Sequence, residues 1–91
     1  MFCVVAYDMP DTRRRTKLFR TLKGFGIHTQ FSVFECELDD QEFSHMMAVI
    51  HKIIKPAEDA IKIYRLCHSC LDGIKIIGIG VVAREPDVVI I

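Results

Sequence analysis

Residues Phe2–Arg15 read FCVVAYDMPDTRRR, and the order of elements follows from them. The run from Phe2 to Asp8 is apolar and rich in valine and aromatics, which predicts a strand. Pro10 breaks it, and Asp11 is a good N-cap for a helix from about Thr12 to Phe25. Leu18, Leu22 and Phe25 recur at i, i+4 and i+7 with Phe19 beside them, a core-facing stripe. Gly24 and Gly26 supply the stop.

Working outward, HTQFSVFECEL (28–38) is β-rich and divides near Gln30 into a short and a longer strand. Asp39-Asp40 caps a second helix, with Glu42 placed for a capping box. Phe43, Met47, Ile50 and Ile54 give its core stripe, and Pro56 ends it. AIKIYRL (60–66) is a strand, 67–73 a turn or short helix, and IKIIGIG (74–80) a further strand. The order β-α-β-β-α-β predicts an α+β, ferredoxin-like fold, with two helices on one face of an antiparallel sheet and extra β-structure at the C-terminus. We expect residues 1–80 to form this domain. Residues 81–91 are a β-prone tail, divided by Pro86, that would pair with the other protomer or a partner.

Helices cover one sheet face, yet the first strand is apolar on both. Phe2, Val4 and Ala6 point one way; Cys3, Val5 and Tyr7 point the other. The uncovered face calls for a second copy, so a two-fold dimer is expected. Asp8 shares parity with Phe2, Val4 and Ala6. On such a dimer two Asp8 carboxylates approach, and with waters and a substrate phosphate they offer Mg²⁺ an oxygen shell. The plainer alternative is that Asp8 closes the strand and accepts local hydrogen bonds.

Of the 91 residues, 51% are hydrophobic, enough for one small core. Twelve basic and twelve acidic residues cancel, which argues against a purely electrostatic nucleic-acid binder. The charges are nonetheless segregated: Met9–Gln30 holds six basic residues and one acid, Glu35–Asp59 seven acids and two lysines. A basic helix on a neutral protein still binds phosphate locally. At about 100° per residue, Arg13, Lys17, Arg20 and Lys23 lie away from the apolar stripe, while Arg14 and Arg15 lean toward the Asp8 end of the sheet. There they would meet acids or substrate. A basic first turn opposes the helix macrodipole, which points to a role beyond helix stability.

No signal-peptide pattern or membrane-length apolar run is present, so the expected location is cytoplasmic and Cys3, Cys36, Cys67 and Cys70 are expected to be reduced. Cys67-His68-Ser69-Cys70 is a single CxxC; a structural zinc site needs a second pair or two suitably spaced histidines, so a reduced pair is the plain reading, with a disulfide or metal as alternatives. No Gly-rich phosphate loop and no serine–histidine–aspartate arrangement can be argued.

The segments AYDMPDTRRRTKLFRTLKGFG and QFSVFECEL, followed by IYRLCHSC, together resemble the small CRISPR-associated protein that partners the integrase in spacer acquisition, the second core adaptation protein. The resemblance implies a ferredoxin-like homodimer with Asp8 as metal-binding and catalytic acid. It implies a Mg²⁺-dependent (or other divalent-cation) endonuclease on RNA or DNA. It also implies an alternative role, a non-catalytic adaptor bridging integrase dimers on duplex DNA. On this reading Arg14 and Arg15 stabilise the charged phosphate, and Arg13, Lys17 and Arg20 position the nucleic-acid backbone. No general base stands out. Where relatives commonly carry an arginine before the Gln-Phe-Ser segment, this chain has His28, which replaces a fixed charge with an imidazole.

Overall fold

The structure is a computed structural model, and it describes residues 1–78, 81–83 and 88–90. Strand β1 (Phe2–Asp8) leads into helix α1 (Thr12–Leu22), then strands β2 (Ile27–Gln30) and β3 (Val33–Glu37), helix α2 (Asp40–Ile53) and strand β4 (Ala60–Leu66). A short helix α3 (His68–Asp72) and strands β5 (Val81–Ala83) and β6 (Val88–Ile90) follow. The sheet order is β2-β3-β1-β4, antiparallel throughout, with β1 between β3 and β4. This is the ferredoxin-like fold expected from the element order.

Both expected caps are present. The Asp11 carboxylate accepts from the Arg14 amide at 2.9 Å. Asp39 and Glu42 form the full capping box, each side chain accepting from the other's amide. Helix α1 ends three residues before Phe25: the amides of Gly24 and Phe25 donate to Thr21 and Leu22 in a tightened last turn. Gly26 follows because the backbone there lies against β3, and a Cβ would meet the Cys36 sulfur at 2.5 Å and the Glu35 carbonyl.

Cys3, Val5 and Tyr7 face the helices and join Leu18, Leu22, Phe34, Cys36, Met46, Ile50 and Ile53 in the main core. In α2 the fully buried methionine is Met46, not Met47; Met46, Ile50 and Ile53 are buried, and Phe43 and Ile54 pack against them half-buried. Either methionine fits the helical spacing; the crossing over the sheet selects Met46. Phe31 does not extend β3. It sits in the turn after β2 with φ 37° and 84% exposed, its carbonyl accepting from His28 Nε2.

The opposite sheet face is covered at one end only. Phe2 packs against Leu71 of α3, with Val4, Leu66, Ile74 and Ile76 around them. The expected strand at 74–80 is therefore corrected: Ile74–Gly78 form no strand. Ile74 and Ile76 turn inward to seal Phe2, Ile77 is 99% exposed, and Gly78 takes φ 94°, so the alternating pattern serves a lid rather than a ladder. Residues 79–80 of that expected strand, and Pro86, lie outside the described residues. Strands β5 and β6 pair with each other antiparallel.

Candidate active site

Two elements build the site: the end of β1 and the first turns of α1. Asp8 is the last residue of β1, opposite Ala60 of β4, where β3 no longer accompanies it, the β1–β3 register ending at Ala6 and Val33. Its side chain falls on the face away from the helices, by alternation from the buried Tyr7. It is exposed, and among the described residues its carboxylate has neither a hydrogen-bond nor an ion-pair partner. The local hydrogen bonds of the plainer alternative are therefore not formed among the described residues.

Each of the three consecutive arginines goes elsewhere. Arg15 Nη1 donates to the Met9 carbonyl at 2.8 Å, and its Nη2 to Thr12 Oγ1 at 3.3 Å. That clamps the turn between Asp8 and the helix. Arg14 grips the segment before β4: Nε donates to Asp59 Oδ2 at 2.9 Å, Nη2 to Asp59 Oδ1 at 3.1 Å and to Glu58 Oε1 at 3.2 Å. The Asp59 side chain is 0% exposed and also accepts from the Lys55 amide at 2.8 Å. A fork-to-carboxylate pair of this geometry is directional and strong. Arg14 therefore lowers Asp59 from its ordinary carboxylate value. The guanidinium is in turn pushed up by Asp59, then by Glu58. Asp11 is lowered chiefly by the Arg14 amide, and Glu58 chiefly by Lys55.

Arg13 points outward with Lys17 and Arg20, all exposed, and the three line a shallow concavity with Thr16 and Thr21. Among the described residues none of the three has an ion-pair partner. No acid stands in the first turn of α1. The outer row spans about 10 Å along the helix, at 1.5 Å per residue. Lys23, the next member by angle, lies over the Phe19 ring at 5.1 Å.

The site thus separates one uncompensated carboxylate from one uncompensated cationic row, joined by a turn that Arg15 fixes. The donor type at Asp8 suits a hard cation such as Mg²⁺, which keeps several waters and needs one or two carboxylates. Among the described residues of one chain, no group of three or more His, Cys, Asp or Glu could hold a metal. The open sheet face around Asp8 carries Val4, Ala6 and Val33, half-buried, with Ile27 and Tyr64 about half exposed. Strand parity and helical period anticipated where Asp8 and the outward row lie; the choice of a metal-binding role for Asp8 over the plainer one came only from the family resemblance. Sequence reasoning missed Asp59 and Glu58, whose only signal was an acid pair just ahead of a strand.

Known proteins are similar to this chain in sequence and fold. Residues 1–74 match the family model described as CRISPR associated protein Cas2. The chain is 42% identical over 86 residues to a CRISPR-associated endoribonuclease Cas2 of Chloroflexus aurantiacus, covering 94% of this chain and 92% of that one. Among solved structures it resembles a hypothetical protein of Thermus thermophilus (TM-score 0.77, 35% identity, 87% and 92% of the two chains). It also resembles Streptococcus pyogenes Cas2 (TM-score 0.74, 26% identity, 86% and 100%).

Proposed function

The chain belongs to the CRISPR-associated Cas2 family, and from that membership we propose that it works in CRISPR spacer acquisition as a homodimeric, divalent-metal-dependent endonuclease on RNA or DNA. The observation that carries this reading is Asp8: an exposed, unpartnered carboxylate at the end of a central strand, on the sheet face that lacks a cover. An acid left unpaired beside three arginines is available for something the single chain does not contain.

Each part of the chain then has a task. The open face around Val4, Ala6 and Val33 receives a second copy, which brings a second Asp8 toward the first. The two Asp8 carboxylates would hold Mg²⁺ or another divalent cation, which would supply Lewis acidity toward the phosphodiester. Arg13, Lys17 and Arg20 hold the nucleic-acid backbone without reading bases. Arg15 fixes the turn that carries Asp8 relative to that row. Arg14 is committed to Asp59 and Glu58, so it reaches a phosphate only by exchanging those partners. The partner in acquisition is the CRISPR integrase, and the compartment is the cytoplasm; no helix among the described residues is long and apolar enough to cross a membrane.

The test is cleavage of RNA and of duplex DNA with Mg²⁺ by the wild type and by Asp8→Asn, each checked for dimer mass by light scattering. We expect cutting to fall to background in Asp8→Asn while the dimer persists. Cutting at the wild-type rate by Asp8→Asn would remove Asp8 from catalysis and point to a contaminating nuclease, whereas no cutting by the wild type, with spacer integration kept in Asp8→Asn, would leave the adaptor role as the better account.

A further inference from the structure

The Cys67–Cys70 pair has no place in the proposed site and lies at the other end of β1. The two sulfurs are 3.4 Å apart and share a hydrogen bond. Both residues are exposed, and both are free thiols. Cys67 is the N-cap of α3 in extended backbone (φ −79°, ψ 171°), and Cys70 sits one turn on, inside the helix. A disulfide needs the sulfurs at about 2.05 Å. The observed separation leaves about 1.4 Å to close.

The two thiols are not equivalent. The Cys67 thiol is held below its ordinary value, first by the Cys70 amide, which lies near its sulfur without closing a full hydrogen bond, then by the Cys70 thiol. Cys70 is pushed up by the Cys67 sulfur. Cys67 alone of the two lines an open cavity, with Arg65, His68, Glu37, Phe2 and Leu71. The cavity gives a small anionic disulfide a place to lie against the more acidic sulfur, with Arg65 and His68 at its wall.

We propose that Cys67 and Cys70 form a dithiol that exchanges with low-molecular-weight disulfides of the glutathione type, Cys67 attacking and Cys70 resolving. In the first step the Cys67 thiolate attacks one sulfur of the small disulfide, forming a mixed disulfide and releasing one small thiolate. In the second, Cys70 attacks the Cys67 sulfur, loses its proton to solvent, and expels the second small thiolate. Two protein thiols are oxidised and one small disulfide is reduced to two thiols, so atoms and electrons balance. The closed bond locks the first turn of α3, the turn that presents Leu71 to Phe2.

The experiment incubates the full-length protein with oxidised glutathione near neutral pH and follows intact mass after acid quench and alkylation. The wild type should lose two hydrogens with no lasting glutathione adduct, and reduced glutathione should restore it. Cys70→Ser should stall as a stable mixed disulfide on Cys67. Cys67→Ser should acquire an adduct several-fold more slowly, because Cys70 sits inside α3 and does not line the cavity. Cys3 and Cys36, both at 0% exposure, should stay unmodified in the folded protein. Amide hydrogen exchange of 68–72 should slow on oxidation. A persistent adduct on the wild type, or equal rates for the two single variants, would overturn the proposal. Both substitutions fall on exposed residues, and a melting curve for each confirms that the fold is intact.

Discussion

Asp8 and Asp59 stand at the same end of the sheet, Asp8 facing Ala60 across the β1–β4 ladder and Asp59 immediately before it. Their surroundings are opposite. Asp59 is sealed from solvent and accepts from Arg14 twice and from the Lys55 amide once. Asp8 is exposed and unpartnered among the described residues. The first carboxylate ties α1 to the segment before β4; the second contributes nothing visible to a single chain. Two identical groups so close together show that residue type does not assign a role. The number of donors already aimed at the group does.

The largest expected effect separates the two by function. Asp8→Asn should remove metal-dependent cutting with a melting temperature close to wild type. Asp59→Asn should do the reverse: the melting temperature drops because a buried guanidinium partner loses its charge, while activity per folded molecule is kept. Cleavage assays and calorimetry on both variants decide this, and a large stability loss in Asp8→Asn would break the comparison.

Next in size is the cationic row. Arg13, Lys17 and Arg20 have no ion pairs to lose among the described residues, so reversing all three to Glu should spare the fold. For duplex DNA, three lost phosphate contacts should reduce the slope of log affinity against log salt by up to about 3. Titrations at several salt concentrations measure it; an unchanged slope would take α1 out of the interface. Arg14→Ala sharpens the contrast, since it should cost stability and leave that slope nearly unchanged.

The smallest effect is with pH. Asp59, Asp11 and Glu58 are all held low in the folded protein. The stability they contribute is present above their unfolded values, about 4, and is lost as pH falls through the folded ones. Melting temperature should therefore hold from neutral pH down to about 5 and decline below it. In Arg14→Ala that decline should be shallower, because Asp59 loses the largest cause of its lowered value and keeps only the Lys55 contribution. An equally steep decline would show that other carboxylates govern acid unfolding.

Much of this was legible in the chain. Alternation along Phe2–Asp8 separated Cys3, Val5 and Tyr7 from Phe2, Val4, Ala6 and Asp8, and the structure keeps that division. The caps at Asp11 and Asp39 and the outward row of Arg13, Lys17 and Arg20 were legible for the same reason: each depends on residues within a turn or two. Ile74–Gly78 misled because alternation records which side chains are buried, and does not record whether a neighbouring strand is available for hydrogen bonds. Here β4 already fills the place beside β1, and the isoleucines close over Phe2 instead.

By itself the sequence determined the elements from β1 to β4, their faces and the position of Asp8 at a strand end, because backbone sterics and helical period act between near neighbours. Only the tertiary structure decided which charges remain available. Arg14 and Asp59 are 45 positions apart, and no local period could pair them. A hydrogen bond forms only when folding brings its atoms within about 3 Å. That long-range closure consumed one arginine and one aspartate and left Asp8 open.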